Sequence, residues 1–316
     1  MSEKTGSMTT ITHHDRAWRW KVILAFAAVY IIWGSTYLAI RIGVQHLPPA
    51  LFAGARFLVA GILLAVYARL NGQKFPVHWR EWRTITITAL FMLVGANGLV
   101  VWGEQWVPSN QAALIVATTA LWLAGFGTLG AQGQKLSLQT LIGLAVGFFG
   151  VALLLLPEKG FALNHFGAQL AILAASPLWA AGSMVAKRGR LTTPPLMVAA
   201  LQSLVAGIVF CVFGFSAGEA VRWNNTPEAL MALAYLIVFG SCLAYAAYIW
   251  LLHEVSPALL GTYAYINPLV AVTLGWLVLQ ETLNANQVAG TVVILIGVML
   301  VSITRPKAIT APRQRT

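Results

Sequence analysis

Ten stretches of this 316-residue chain run apolar for about 20 residues each, and no other feature constrains the fold as strongly. Only helices and closed barrels satisfy every backbone N–H and C=O in lipid. The runs are continuous and do not alternate with period two, so they read as helices and not as barrel strands. The segments are expected at 22–42, 49–69, 85–103, 110–130, 138–156, 167–186, 196–216, 229–251, 258–280 and 286–304. Between them lie turn-formers: Pro48-Pro49, Asn71-Gly72, Pro108, Gln132-Gly133, Pro157, Pro194-Pro195, Asn224-Asn225 and Pro257. The first run is too long for a cleaved signal peptide and opens a series of similar runs, so it reads as a retained span.

Composition agrees. Residues are 59% hydrophobic and 9% charged, against about 25% charged in a soluble domain. The net charge of +11 would suggest nucleic acid in a soluble protein, but here the basic residues occupy tails and loops, where membrane topology accounts for them. On one side of the expected bilayer fall Lys4, Arg16, Arg19, Lys21, Arg69, Lys74, Arg80, Arg83, Lys135, Lys187, Arg188, Arg190, Arg305, Lys307, Arg313 and Arg315. The other side has Arg41, Lys159 and Arg222, with Arg56 inside a segment. The excess of positive charge puts both termini in the cytoplasm, which requires an even number of spans.

The chain also repeats itself. Leu58-Val59-Ala60-Gly61-Ile62 recurs as Leu204-Val205-Ala206-Gly207-Ile208, 146 residues on. At the same offset Pro49 matches Pro195, Trp33 matches Trp179, and Arg41 matches Lys187. Trp102 meets Trp250, Pro108 meets Pro257, and Gly143 and Gly150 meet Gly290 and Gly297, at offsets of 147 to 149. A duplication explains matches that keep their order and spacing. The expected organisation is an amino tail (1–21), a first five-helix repeat (22–156), a connector (157–166), a second repeat (167–304) and a carboxyl tail (305–316). Five is odd, so the second half lies inverted with respect to the first. Inverted halves characterise secondary transporters, and some channels.

Particular residues carry a family likeness. These are Ile31-Ile32-Trp33-Gly34-Ser35-Thr36-Tyr37, Arg56-Phe57, Ser256-Pro257-Ala258, Tyr263-Ala264-Tyr265-Ile266-Asn267-Pro268 with Ala271, and Glu281-Thr282. With the repeat and helix count, they make residues 22–304 resemble the EamA family of the drug/metabolite transporter superfamily. The resemblance implies an all-α membrane fold of ten transmembrane helices as two inverted five-helix repeats, with a substrate cavity between the halves. It also implies export of amino acids and related metabolites. The family often has a proline in helix 4 that mirrors helix 9, where this chain has Thr118-Thr119. The fourth segment is therefore expected to be straighter, and the cavity less symmetric.

Arg56 stands seven positions after Pro49, about 10 Å into the membrane at 1.5 Å per residue. An unpaired cation there costs at least about 2.5–3.5 kcal/mol. Glu104, at the same end of segment 3, is the expected partner, in a pair that either pins helices or serves transport; snorkelling of the arginine is the alternative. No carboxylate lies in mid-segment, which argues against a cation pump built on a central glutamate and leaves Glu104 as the titrating candidate. Facilitated diffusion stays open.

Trp33, Ser35, Tyr37, Asn97, Trp102, Trp179, Ser183, Tyr245, Tyr263 and Asn267 are the expected cavity residues. Such side chains present apolar bodies with polar tips, although they also form interfacial belts and helix contacts. Pro268 should kink segment 9, freeing a carbonyl beside the site or bending the helix for packing. Gly143, Gly147, Gly150, Gly290 and Gly297 offer small faces for scaffold contacts.

Phosphate-binding loops, intramembrane Ser–His pairs and metal-ligand spacings are missing from the sequence, so neither an enzyme, a cofactor nor a metal is expected. Cys211 and Cys242 lie in apolar segments and read as small buried side chains. The expected partners are a small-molecule substrate and the lipid bilayer, with no nucleic acid, in a monomer or homodimer. The expected activity is metabolite export across the inner membrane by alternating access; the competing readings are a channel or facilitator and a multidrug efflux permease.

Overall fold

A computed structural model describes residues 13–129, 137–155, 165–189, 191–255 and 257–302. Among them are helices and no strands. Over the described residues each of the ten expected segments is helical, the fourth and ninth in two pieces. We number them α1 (13–44), α2 (Pro49–Leu70), α3 (79–103), α4 (109–126), α5 (Leu138–Leu155), α6 (Phe166–Arg188), α7 (Pro195–Ser216), α8 (227–254), α9 (257–279) and α10 (Ala285–Ser302). Six of them, α1, α2, α3, α6, α7 and α8, are long and apolar enough to cross a membrane; α5, α9 and α10 carry shorter apolar stretches.

Boundaries follow local chemistry. Pro49 and Pro195 open α2 and α7 at the first turn, where a proline loses no helical hydrogen bond. α1 and α3 begin before their apolar runs, at His13 and Trp79, because a helix can continue through polar residues outside lipid. The expectation of a straighter fourth helix is corrected. α4 divides into Ser109–Val116 and Thr119–Phe126, and Thr118 Oγ1 donates to Ile115 O at 2.8 Å and lies within hydrogen-bond distance, 3.0 Å, of Ser176 Oγ of α6. A hydroxyl bonding back into its own turn competes with the helical ladder, so threonine interrupts α4 without a proline. α9 is divided likewise, into Pro257–Leu260 and Tyr263–Leu279, with Thr262 Oγ1 donating to Leu259 O.

Two pairs of equivalent helices, α2 with α7 and α5 with α10, pack antiparallel. A Cβ added to Gly54 would meet Cys211, one on Gly61 would meet Leu204, and one on Gly207 would meet Leu58. As residue numbers rise along α2 they fall along α7. α5 and α10 repeat the pattern: a Cβ on Gly150 would lie 2.6 Å from Ile294 N and one on Gly297 2.4 Å from Gly147 N. These are the two most extensive helix contacts among the described residues. Small residues allow such approach where lipid supplies no hydrophobic drive between helices. The side of α2 away from α7 presents Val59, Ile62, Leu63 and Val66, all exposed and suited to lipid tails.

Two carboxylates pin α2 and α7 from opposite ends. Glu219 accepts from Leu51 N at the start of α2 (2.9 Å). Glu81 accepts from the backbone and hydroxyl of Thr192 and the hydroxyl of Thr193, just before α7. The Asn71 and Arg188 connections therefore share one end of the bundle. Most of the expected tails and connector, with Lys135, Lys159 and Arg190, lies outside the described residues.

Candidate functional site

The helices loosen where they approach the centre. α3 is π-helical over Leu90–Asn97 and α8 over Leu236–Tyr245, so the segments start 146 residues apart and end 148 apart, in step with the repeat. α1 has a π-turn at Ala28–Ile32 just before Trp33, and α6 has Pro177 just before Trp179. π-turns and prolines shift the phase of the side chains that follow and free backbone groups, and they recur at functional sites. Hydropathy does not register a π-turn.

Between the halves is a cavity with about 660 Å³ of space free of atoms, part of it open to solvent. Of the expected residues, Trp33, Tyr37, Asn97, Trp179, Tyr245, Tyr263, Asn267 and Arg56 line it. Thr36, Phe57 and Thr119 join them. Repeat-related side chains meet here: the Trp33 and Trp179 rings lie 5.3 Å apart in a T-shaped contact. Tyr248 and Tyr263 pack on Trp33 at 4.9 and 5.6 Å. Each aromatic contact of this kind contributes about 0.5–1.5 kcal/mol beyond its area. Trp33 Nε1 donates to Gly240 O at 3.3 Å, and Trp179 Nε1 to Tyr248 Oη at 3.0 Å. Asn267, its amide turned to suit its neighbours, donates to Tyr30 O at 3.0 Å and Tyr263 O at 3.2 Å. Pro268 follows it inside α9, where its ring nitrogen denies the Ala264 carbonyl the usual helical donor.

Three expected residues lie elsewhere. Ser35 bonds Ile32 O and Tyr235 Oη, Trp102 is 43% exposed and packs on Trp106, and Ser183 lies behind the aromatic wall, bonded to Trp179 O and Tyr248 Oη.

Arg56 and Glu104 are both buried, at 4% and 0% exposure, but the expected contact between them is not made. The one ion pair among the described residues is Arg222–Glu219 at 3.4 Å. Arg56 Nε donates to Ser241 Oγ of the other half at 2.8 Å, and its guanidinium carbon sits 4.8 Å from the centre of the Phe57 ring. Its Nη1 has no partner, and neither carboxylate oxygen of Glu104 has one. The Glu104 backbone carbonyl instead accepts from Arg41 Nη1. Position along a helix says nothing of which way a side chain turns about the helix axis.

Sequence reasoning passed over Gln202, 146 residues after Arg56 and so its counterpart on α7. Gln202 is fully buried, accepts from Tyr245 Oη at 2.8 Å and donates to Thr88 Oγ1 at 2.6 Å. The repeat offset was the signal that could have found it. The Arg41–Lys187 match also acquires a meaning. Arg41, near the end of α1, bonds the Glu104 carbonyl at the end of α3. Lys187, near the end of α6, donates to Leu252 O at 2.7 Å and Val255 O at 2.8 Å at the end of α8. Glu104 and Leu252 are 148 residues apart, the offset of this part of the repeat. The two cations thus form equivalent latches at opposite ends of the bundle.

The model of the EamA-like transporter family matches residues 19–156 and again 166–303. The "Uncharacterized inner membrane transporter YedA" of Escherichia coli is 41% identical over 284 residues, covering 88% of this chain and 90% of that protein. The "Uncharacterized transporter YvbV" of Bacillus subtilis is 26% identical over 91% of this chain and 93% of its own. A solved crystal structure shares the fold with a TM-score of 0.67, at 19% identity and over 90% of this chain and 97% of that one. One copy of the family model on each half, over nearly the whole sequence, settles the assignment: the chain belongs to the EamA-like transporter family.

Proposed function

We propose that this protein is a secondary transporter of the cell inner membrane, with ten spans in two inverted halves and both termini cytoplasmic, exporting small metabolites by alternating access. Its relative YedA is described as an inner membrane transporter, which supports the location. The observation that carries the mechanism is the pair of equivalent latches, Arg41 on the Glu104 carbonyl and Lys187 on the Leu252 and Val255 carbonyls, at opposite ends of a central cavity. Alternating access needs one closure released while the other holds, and an inverted repeat supplies two closures of the same design.

A hydrogen bond to a charged group contributes about 1.5–3 kcal/mol, so removing one latch should shift the balance of open states by about tenfold or more. The test is labelling of a cavity cysteine, Thr36→Cys, with an impermeant maleimide from either face, after both native cysteines are replaced by alanine. Arg41→Ala should raise labelling from the outer face and lower it from the inner, and Lys187→Ala should do the reverse. A channel would label from both faces together. Equal effects of the two variants would remove the carrier reading.

A further inference from the structure

The cavity's polar groups are not equally satisfied, and the difference identifies what it binds. We propose that Arg56 is an anion-recognition residue and that the ligand is a small monocarboxylate with an apolar, preferably aromatic, body. This rests on the cavity being the transport site.

Arg56 is 4% exposed and lines the cavity. One donor, Nε, is used by Ser241, whereas Nη1 is buried without a partner. A buried donor on a cation is costly to leave unmade, and an arriving acceptor removes that cost. Its repeat mate Gln202 shows what a position that only pins helices looks like: both ends of its amide are bonded to protein, to Tyr245 and Thr88. The α7 position is closed by protein partners, and the α2 position has a donor left over.

Charge decides the class of ligand. Arg56 is the one charged side chain among the described lining residues, and no Asp or Glu joins it there; Glu104 lies outside the lining. A positive charge on the wall, with no carboxylate beside it there, favours one negative charge over a zwitterion, whose ammonium would find no carboxylate among the described lining residues, and over a dianionic phosphate, which would need a second cation. Arginine's planar fork matches a carboxylate in shape. The remainder of the wall, with Trp33, Trp179 and Tyr263, suits a flat apolar body.

The test is binding of radiolabelled phenylacetate to the purified full-length protein, with unlabelled phenylacetamide, phenethylamine, L-phenylalanine and phenyl phosphate as competitors. Losing one charge-assisted bond should weaken binding by about tenfold or more. Phenylacetate should therefore bind at least that much tighter than phenylacetamide and phenethylamine, and also ahead of L-phenylalanine and phenyl phosphate. In Arg56→Gln, which copies the residue of the opposite half, the advantage of phenylacetate over phenylacetamide should vanish, and Arg56→Lys should keep part of it. Wild-type protein that binds no phenylacetate, or binds phenylacetamide or L-phenylalanine as tightly, overturns the proposal. So does a preference that survives in Arg56→Gln. If that variant does not fold, the wild-type series and Arg56→Lys decide. None of these results alters the labelling at Thr36, so failure here is distinguishable from failure of the carrier reading.

Discussion

Gly207→Ala adds one methyl group where α7 crosses α2. The new Cβ would sit 2.5 Å from Leu58 N and 2.6 Å from Leu58 Cα, where ordinary contact begins at 3.4 Å. These are backbone atoms, so no side chain can swing aside, and the helices must part by about 1 Å. A gap of about 0.5–1 Å forfeits roughly a quarter to a half of each dispersion contact along the seam. Overpacking costs about 1–3 kcal/mol, and rigid backbone puts this site near 3. Alanine returns about 1 kcal/mol through helix propensity, leaving a net loss of about 2 kcal/mol. At about 2 °C per kcal/mol for a large chain, Tm should fall about 4 °C. The control is Gly125→Ala, also within a helix, where a Cβ meets nothing within 4 Å; it should leave Tm unchanged or raise it slightly. Thermal unfolding in detergent, followed by tryptophan fluorescence, gives both values. If Gly207→Ala is as stable as Gly125→Ala, the backbones of α2 and α7 are not in contact and the seam between the halves is misplaced.

Gln202→Leu keeps most of the volume but leaves the buried Tyr245 hydroxyl without its acceptor, while Thr88 keeps its bonds to the carbonyls of its own helix, so it should destabilise by about 1–3 kcal/mol, measurable as a lowered Tm. Glu281→Gln leaves one acceptor oxygen where two now take Ser109 N, Ser109 Oγ and Asn110 N at 2.8–3.0 Å. It should cost about 1.5–3 kcal/mol and increase hydrogen exchange at the start of α4. A substitution that leaves exchange there unchanged would show that this clamp does not hold α4 to α9.

Much of this architecture was legible because lipid leaves few choices. The apolar runs and their breakers located the helical segments, and the 146-residue offset paired Trp33 with Trp179, whose rings meet in the cavity. The glycines of α5 and α10 lie against each other, as small faces should. What escaped was phase. The π-turns in α1, α3 and α8 rotate their side chains without a compositional mark, which is why Trp102 turned outward while Asn97 turned in. Thr118, bonded back to Ile115 O, sits at the break in α4 and meets Ser176 of the other half, a contact no local pattern announces. Arg56 and Glu104 illustrate the same limit: one-dimensional depth brought them to the same end, yet Ser241 of α8 reached the guanidinium first.

The inverted arrangement of the halves is tested most directly by labelling single cysteines at Asn71, Arg188 and Asn224 with a membrane-impermeant reagent in right-side-out and inverted vesicles. Asn71→Cys and Arg188→Cys should react only in inverted vesicles, and Asn224→Cys only in right-side-out ones. Reaction at positions 71 and 188 from opposite faces would contradict the inversion, and with it the alternating cavity.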